Sequence, residues 1–112
     1  MRISLNASSL LGSGDVGALK DHAAQSADEG FSGWWLAQTG LVDALTVFTA
    51  MDGKFPSLEL GTAVIPTYPR HPTMLAGQAL TTQAVMGDQS LVLGIGLSHQ
   101  PVVEGMLGMS FD

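Results

Sequence analysis

Short apolar runs alternate with helix-compatible stretches along this 112-residue chain, which predicts an α/β fold with parallel strands. Two β-like runs, residues 58–65 and 91–95, each break at their C-terminal end into Gly, Pro, Tyr, Ser or His, in GTAVIPTYPRHP (residues 61–72) and LVLGIGLSH (residues 91–99). A helix-compatible segment lies between them, so both breaks fall at one end of a parallel sheet, where such folds build their pockets. Two further strand–helix units precede this pair.

Each element has its own local reason. Residues 2–6 form a short β-like run, a Gly/Ser loop follows over residues 7–14, and Asp15 is placed to cap a helix running to about residue 29, with Gly30 as its stop. GWWLA at residues 33–37 is short enough for a buried parallel strand, with Trp34 and Trp35 pointing to opposite faces. Residues 41–51 carry Leu41, Ala44, Leu45 and Phe48 at helical spacing and stop near Gly53. After the third strand, Pro72 suits a first helical turn, Leu75, Ala79, Thr82 and Met86 share one face, and Gly87 ends the helix. The fourth strand is residues 91–95, and a further helix begins at Pro101.

Repeated strand–helix units fit both an open doubly wound sheet and part of an eight-stranded (β/α)8 TIM barrel. The first loop, ASSLLGSG, lacks the three-glycine spacing of a dinucleotide fingerprint at a helix start, which favours the barrel. Four units are about half of the strands a barrel needs, so the expectation is a single domain over residues 1–112 forming the N-terminal half of one.

Composition excludes several function classes. Charged residues make up 12% of the chain, against about 25% in ordinary domains, so part of the outer surface is expected to be covered by more protein, and a homo-oligomer is expected. The net charge of −6 and four scattered basic residues, Arg2, Lys20, Lys54 and Arg70, leave no patch for a phosphate backbone and argue against nucleic-acid binding. No apolar run approaches the 18 or so residues of a membrane span, and the opening MRISLNASS lacks a signal-peptide core, so a soluble cytoplasmic protein is expected. The chain has no cysteine, which removes thiolate catalysis and Cys-ligated zinc. His71 and His99 lack nearby carboxylates in sequence, so no metal site is expected.

GTAVIPTYPRHP, the helix after it, GDQSLVLGIGLSH and GMLGMSFD, together with MRISL and GWWLAQTGLVDALT in the same order, resemble the luciferase-like monooxygenase family. The likeness is greatest to its deazaflavin-dependent oxidoreductases. It implies a (β/α)8 barrel binding coenzyme F420, or alternatively flavin mononucleotide (FMN), at the C-terminal mouth of the strands, and a hydride-transfer reaction with a small organic substrate. The alternatives are an FMN-dependent monooxygenase and a catalytically incomplete half barrel that oligomerises.

The resemblance also implies site residues. Ala63 and Val64 match a non-prolyl cis peptide that presses on the back of the coenzyme ring, with Gly61 and Thr62 leading into it. Gln38 stands where relatives face the reactive edge of the coenzyme; relatives place an acid or histidine nearby, whereas Gln38 and Thr39 do not exchange protons near neutrality. A positioning role is therefore expected of Gln38. Gly94 and Gly96 let the fourth strand turn into LSHQ, making His99 the first candidate for proton transfer or substrate binding, while Ser98 either donates a hydrogen bond or caps the next helix. Arg70 is placed to pair with an anionic cofactor tail, and His71 before Pro72 to brace the loop.

Overall fold

The computed structural model describes residues 1–9, 14–38 and 42–110. The predicted Leu41 start of the second helix and the neighbour of Gln38, Thr39, lie outside the described residues. The chain alternates β1 (Ser4–Asn6), α1 (Val16–Asp28), β2 (Gly33–Leu36), α2 (Ala44–Ala50), β3 (Glu59–Thr62), β4 (Ile65–Pro66), α3 (Pro72–Met86), β5 (Leu91–Val92) and β6 (Ile95–Gly96), and a π-helical segment Pro101–Met106 follows. Among the described residues, no helix is long and apolar enough to cross a membrane.

Helix boundaries follow side-chain capping. Asp15 accepts from the Ala18 amide at 3.0 Å and starts α1. Asp43 accepts from the Thr46 amide at 2.9 Å and starts α2, three residues later than apolar spacing predicts, because the cap satisfies an otherwise orphaned N–H. The His71 Nδ1 accepts from the Thr73 amide at 3.1 Å ahead of Pro72, so this histidine braces the loop as expected. Gly87, at φ 66°, occupies the left-handed stop after α3.

Among the described residues all strand pairings are parallel: β1–β2–β3–β5 form a four-stranded sheet and β4–β6 a second, two-stranded one. The core lies on the face carrying Trp34, Leu36 and Leu60, against Leu19 and Ala23 of α1, Leu45 and Phe48 of α2, and Leu75 and Met86 of α3. Trp34 is fully buried; its indole N–H donates to His22 Nδ1 at 2.9 Å, and its ring meets Phe48 edge-on at 6.3 Å. Trp35 turns to the other face and lies against Gly61, where a Cβ would fall 2.4 Å from its ring. The two tryptophans thus separate across the sheet as strand alternation requires.

The third and fourth strands, expected to be continuous, are each interrupted. Gly61 pairs with Val92 and Ile65 with Ile95, so four steps along one strand face three along the other. The extra residue makes a bulge at residues 62–64, and it contains a cis peptide between Ala63 and Val64. The Thr62 hydroxyl bridges the gap in the ladder: it accepts from the Gly94 amide and donates to the Gly94 carbonyl, both at 2.8 Å. Glycine is required opposite it, since a Cβ on Gly94 would lie 2.0 Å from the Thr62 carbonyl oxygen.

Candidate functional site

A cavity of about 320 Å³ opens at the C-terminal end of the strands, lined by Gln38, Pro66, Pro69, Arg70, Ser98, His99, Val102, Met106 and Leu107. Four of the residues singled out from sequence therefore meet: Gln38 from the end of β2, Arg70 from the loop after β4, and Ser98 and His99 from the loop after β6. Parallel strands put these loops side by side although their residues are far apart in the chain.

Of the other five, Thr62, Ala63 and Val64 form the bulge beside the cavity, and Gly61 and Gly96 occupy the paired strand positions around it. Val64 is exposed and Ala63 half-buried, and the Val64 carbonyl accepts from the Gln38 amide at 3.2 Å, joining the bulge to the cavity's edge. Gly96 makes room for Val64: a Cβ there would lie 2.7 Å from Val64 Cγ2. Gly61 and Thr62 are buried, the first beneath Trp35 and the second bonded to Gly94. Both are buried at the start of the bulge, which they shape, and not on an open wall.

Gln38 is committed in both directions. Its Nε2 donates to the Val42 carbonyl at 2.9 Å and its Oε1 accepts from the Ala44 amide at 2.8 Å, so the side chain ties the end of β2 to the start of α2. Both polar ends of this side chain are therefore spent within the chain. Ser98, at φ 65°, does not cap the following helix; Gln100 occupies the cap position without a side-chain bond, and the Val102 and Val103 amides donate to the His99 carbonyl at 2.9 and 3.0 Å. The capping alternative for Ser98 is thus corrected: the backbone of His99 does that work. His99 itself is exposed on the cavity rim.

Arg70 is half-buried and already paired. Its Nη2 donates to Asp43 Oδ1 and its Nη1 to Gln78 Oε1 at 2.6 Å, while Gln78 Nε2 donates to Asp43 Oδ2 at 2.9 Å. Asp43 Oδ2 also accepts from the Thr46 hydroxyl at 2.6 Å. Burial pushes the Asp43 carboxyl up, but the Thr46 and Arg70 hydrogen bonds and the Arg70 charge outweigh it and hold the group below its ordinary value of 3.8. Sequence reasoning missed Asp43 and Gln78. For Asp43 a signal existed, an aspartate directly before the apolar helical run ALTVF; Gln78 carries none. No group of three or more His, Asp or Glu able to hold a metal occurs among the described residues.

Pro66, Val102 and Met106 supply apolar surface to the cavity, and Arg70, Ser98 and His99 supply polar groups.

Residues 3–112 match the family model described as luciferase-like monooxygenase. A Mycobacterium tuberculosis protein named for coenzyme F420-dependent oxidoreductase activity is 35% identical over 88 residues, covering 79% of this chain and 25% of the relative. The coenzyme F420-dependent tetrahydromethanopterin reductase of Methanopyrus kandleri superposes with a TM-score of 0.73 at 21% identity, over 99% of this chain and 30% of its own. The oxygenating constituent of 3,6-diketocamphane monooxygenase from Pseudomonas putida, a type II Baeyer–Villiger monooxygenase solved with FMN, superposes with a TM-score of 0.82 at 15% identity, over 96% and 32%. The chain spans about a quarter to a third of the length of these relatives. Because that family match covers residues 3–112, the chain belongs to the luciferase-like monooxygenase family.

Proposed function

We propose that this chain forms the coenzyme wall of a (β/α)8-barrel oxidoreductase that moves a hydride between a deazaflavin coenzyme, F420, and a small organic substrate. The observation that carries this reading is the bulge at Ala63 and Val64, set beside a cavity rimmed by Gln38, Arg70, Ser98 and His99. The relative of 35% identity, named for F420-dependent activity, supports the choice of coenzyme.

When bound, a deazaflavin supplies the two-electron hydride chemistry. The chain's residues do the rest. Ala63 and Val64 back the ring and exclude water, while Gln38, locked by Val42 and Ala44, keeps the end of β2 at a fixed distance from it. Arg70 offers positive charge to an anionic group. His99, on the rim, gives or takes a proton at an imidazole nitrogen, and Ser98 adds a hydroxyl. The four strands correspond to the first half of the barrel.

Fluorescence titration of the purified protein with F420 and with FMN tests the coenzyme. Quenching by F420 alone is expected; tight FMN binding without F420 binding overturns the choice and favours the oxygen-activating alternative, the chemistry of the FMN-bound neighbour. His99→Gln is expected to lower turnover by about 10²- to 10⁴-fold, the usual share of a general acid or base, at unchanged coenzyme affinity.

A second reading rests on the strand-four edge, where Leu93, Ile95 and Leu97 are exposed, the last two at 56% and 61%. Apolar groups on an unpaired edge favour association, so we infer that this chain by itself pairs with another copy and binds coenzyme weakly. Size-exclusion chromatography decides: a monomer that binds F420 and turns over defeats this reading.

A further inference from the structure

Arg70 borders two cavities. One is the mouth cavity; the other is an open groove of about 680 Å³ between α2 and α3, lined among others by Thr46, Arg70, His71 and Gln78. Of the chain's four Lys and Arg residues, Arg70 is the one that lines either space. Its orientation therefore decides which cavity receives positive charge.

That orientation is set by a closed ring of three side chains: Arg70 donates to Asp43 and to Gln78, and Gln78 donates to Asp43. They come from three elements, the loop after β4, the cap of α2 and the middle of α3. Asp43 is the fixed member. Its carboxylate also takes the Thr46 amide and hydroxyl, so it cannot follow Arg70 if the arginine swings away. Asp43 lines neither cavity.

We propose that Asp43 is a positioning residue for the mouth cavity: through the Arg70 guanidinium it fixes the cationic wall on which an anionic part of the ligand rests. This rests on the coenzyme reading above. An arginine carries five N–H donors, and one on each terminal nitrogen is committed to the ring, so the others remain to meet a ligand. Asp43 offsets much of the guanidinium's net charge, so what the ring holds in place for an anionic group is the direction of the N–H donors left uncommitted. Without it, ordering a long, freely rotating side chain opposes ligand binding.

The test measures F420 affinity by fluorescence for the wild-type protein, Asp43→Asn, Arg70→Gln and the double variant. Asparagine is a good helix cap, so Asp43→Asn keeps the start of α2. Asp43→Asn is expected to weaken binding roughly ten- to a hundredfold, the size of effect that supporting partners have around metal ligands, and to add nothing once Arg70 is Gln. Unchanged or tighter binding in Asp43→Asn, or an equal loss in the Arg70→Gln background, overturns the proposal. Should Asp43→Asn misfold, Gln78→Leu loosens the same ring without touching the cap; a smaller loss is expected, and no loss overturns the proposal. If the wild-type protein binds no measurable F420, affinity no longer reports on the ring and NMR relaxation of the Arg70 Nε decides instead. A rigid Nε in the wild type that becomes mobile in Asp43→Asn upholds the positioning role, and equal mobility in both refutes it.

Discussion

One side of the mouth cavity is tied down by side-chain hydrogen bonds from several directions, while the other rests on backbone hydrogen bonds and one buried side chain, Val103. Gln38, Asp43, Arg70 and Gln78 bind one another's elements through side-chain hydrogen bonds of 2.6 to 2.9 Å and the Arg70–Asp43 ion pair. Across the cavity, Ser98 to Leu107 rely on amides returning to the His99 and Val102 carbonyls, and Ile95, Leu97 and Met106 are exposed. The bulge at residues 62–64 lies between the two. Contacts within this chain thus complete the first wall, whereas the second presents apolar surface that nothing described here covers. Hydrogen-bonded polar groups specify a geometry; exposed apolar groups ask only to be buried.

Four substitutions or conditions probe this contrast. Gly94→Ala strikes the junction between the walls, since its Cβ would fall 2.0 Å from the Thr62 carbonyl oxygen. It is expected to destabilise by about 3 kcal/mol or more, read as a lower urea midpoint or as insoluble protein. Thr62→Val keeps the shape of the bulge but strands the Gly94 amide, while the Gly94 carbonyl still accepts from the Ile65 amide; the expected cost is about 1–3 kcal/mol for one unsatisfied donor.

The braced wall should also be acid-sensitive. Asp43 titrates below its ordinary value in the folded chain, so its carboxylate contributes stability that is present above the unfolded-state value of about 4 and lost as pH falls through the folded one. Asp43→Asn should flatten this part of the stability-versus-pH curve below about pH 4, seen by thermal melts in a pH series; an unchanged curve would show that the network contributes nothing. The smallest effect on stability is expected at the other wall. Ile95→Ser combined with Leu97→Ser should change the melting free energy by less than about 0.5 kcal/mol per site, as exposed positions do, while reducing self-association in sedimentation velocity. A large loss of stability there would mean that this edge is already packed, and the contrast between the walls would fail.

Much of the fold was readable from short stretches. Asp15, Pro72 and Gly87 mark helix ends because capping acts within three or four residues. Trp34 and Trp35 separate across β2 because strand side chains alternate. The site was readable in outline: Gln38, Arg70, Ser98 and His99 meet because parallel strands gather their C-terminal loops. The order of strands and helices and the helix caps were therefore determined by the sequence itself, through interactions spanning a few residues, and parallel order then set the end of the sheet bearing the cavity; the need for glycine at 94 and 96 comes from Thr62 and Val64 across the sheet. The tertiary structure alone decided the one-residue slip between the third and fourth strands, the burial of Thr62 within the bulge, and the capture of Arg70 by Asp43 and Gln78. Those contacts join residues 27 to 35 positions apart, except Arg70 to Gln78 at 8. No local pattern encodes them, because each depends on where two separately formed elements come to rest.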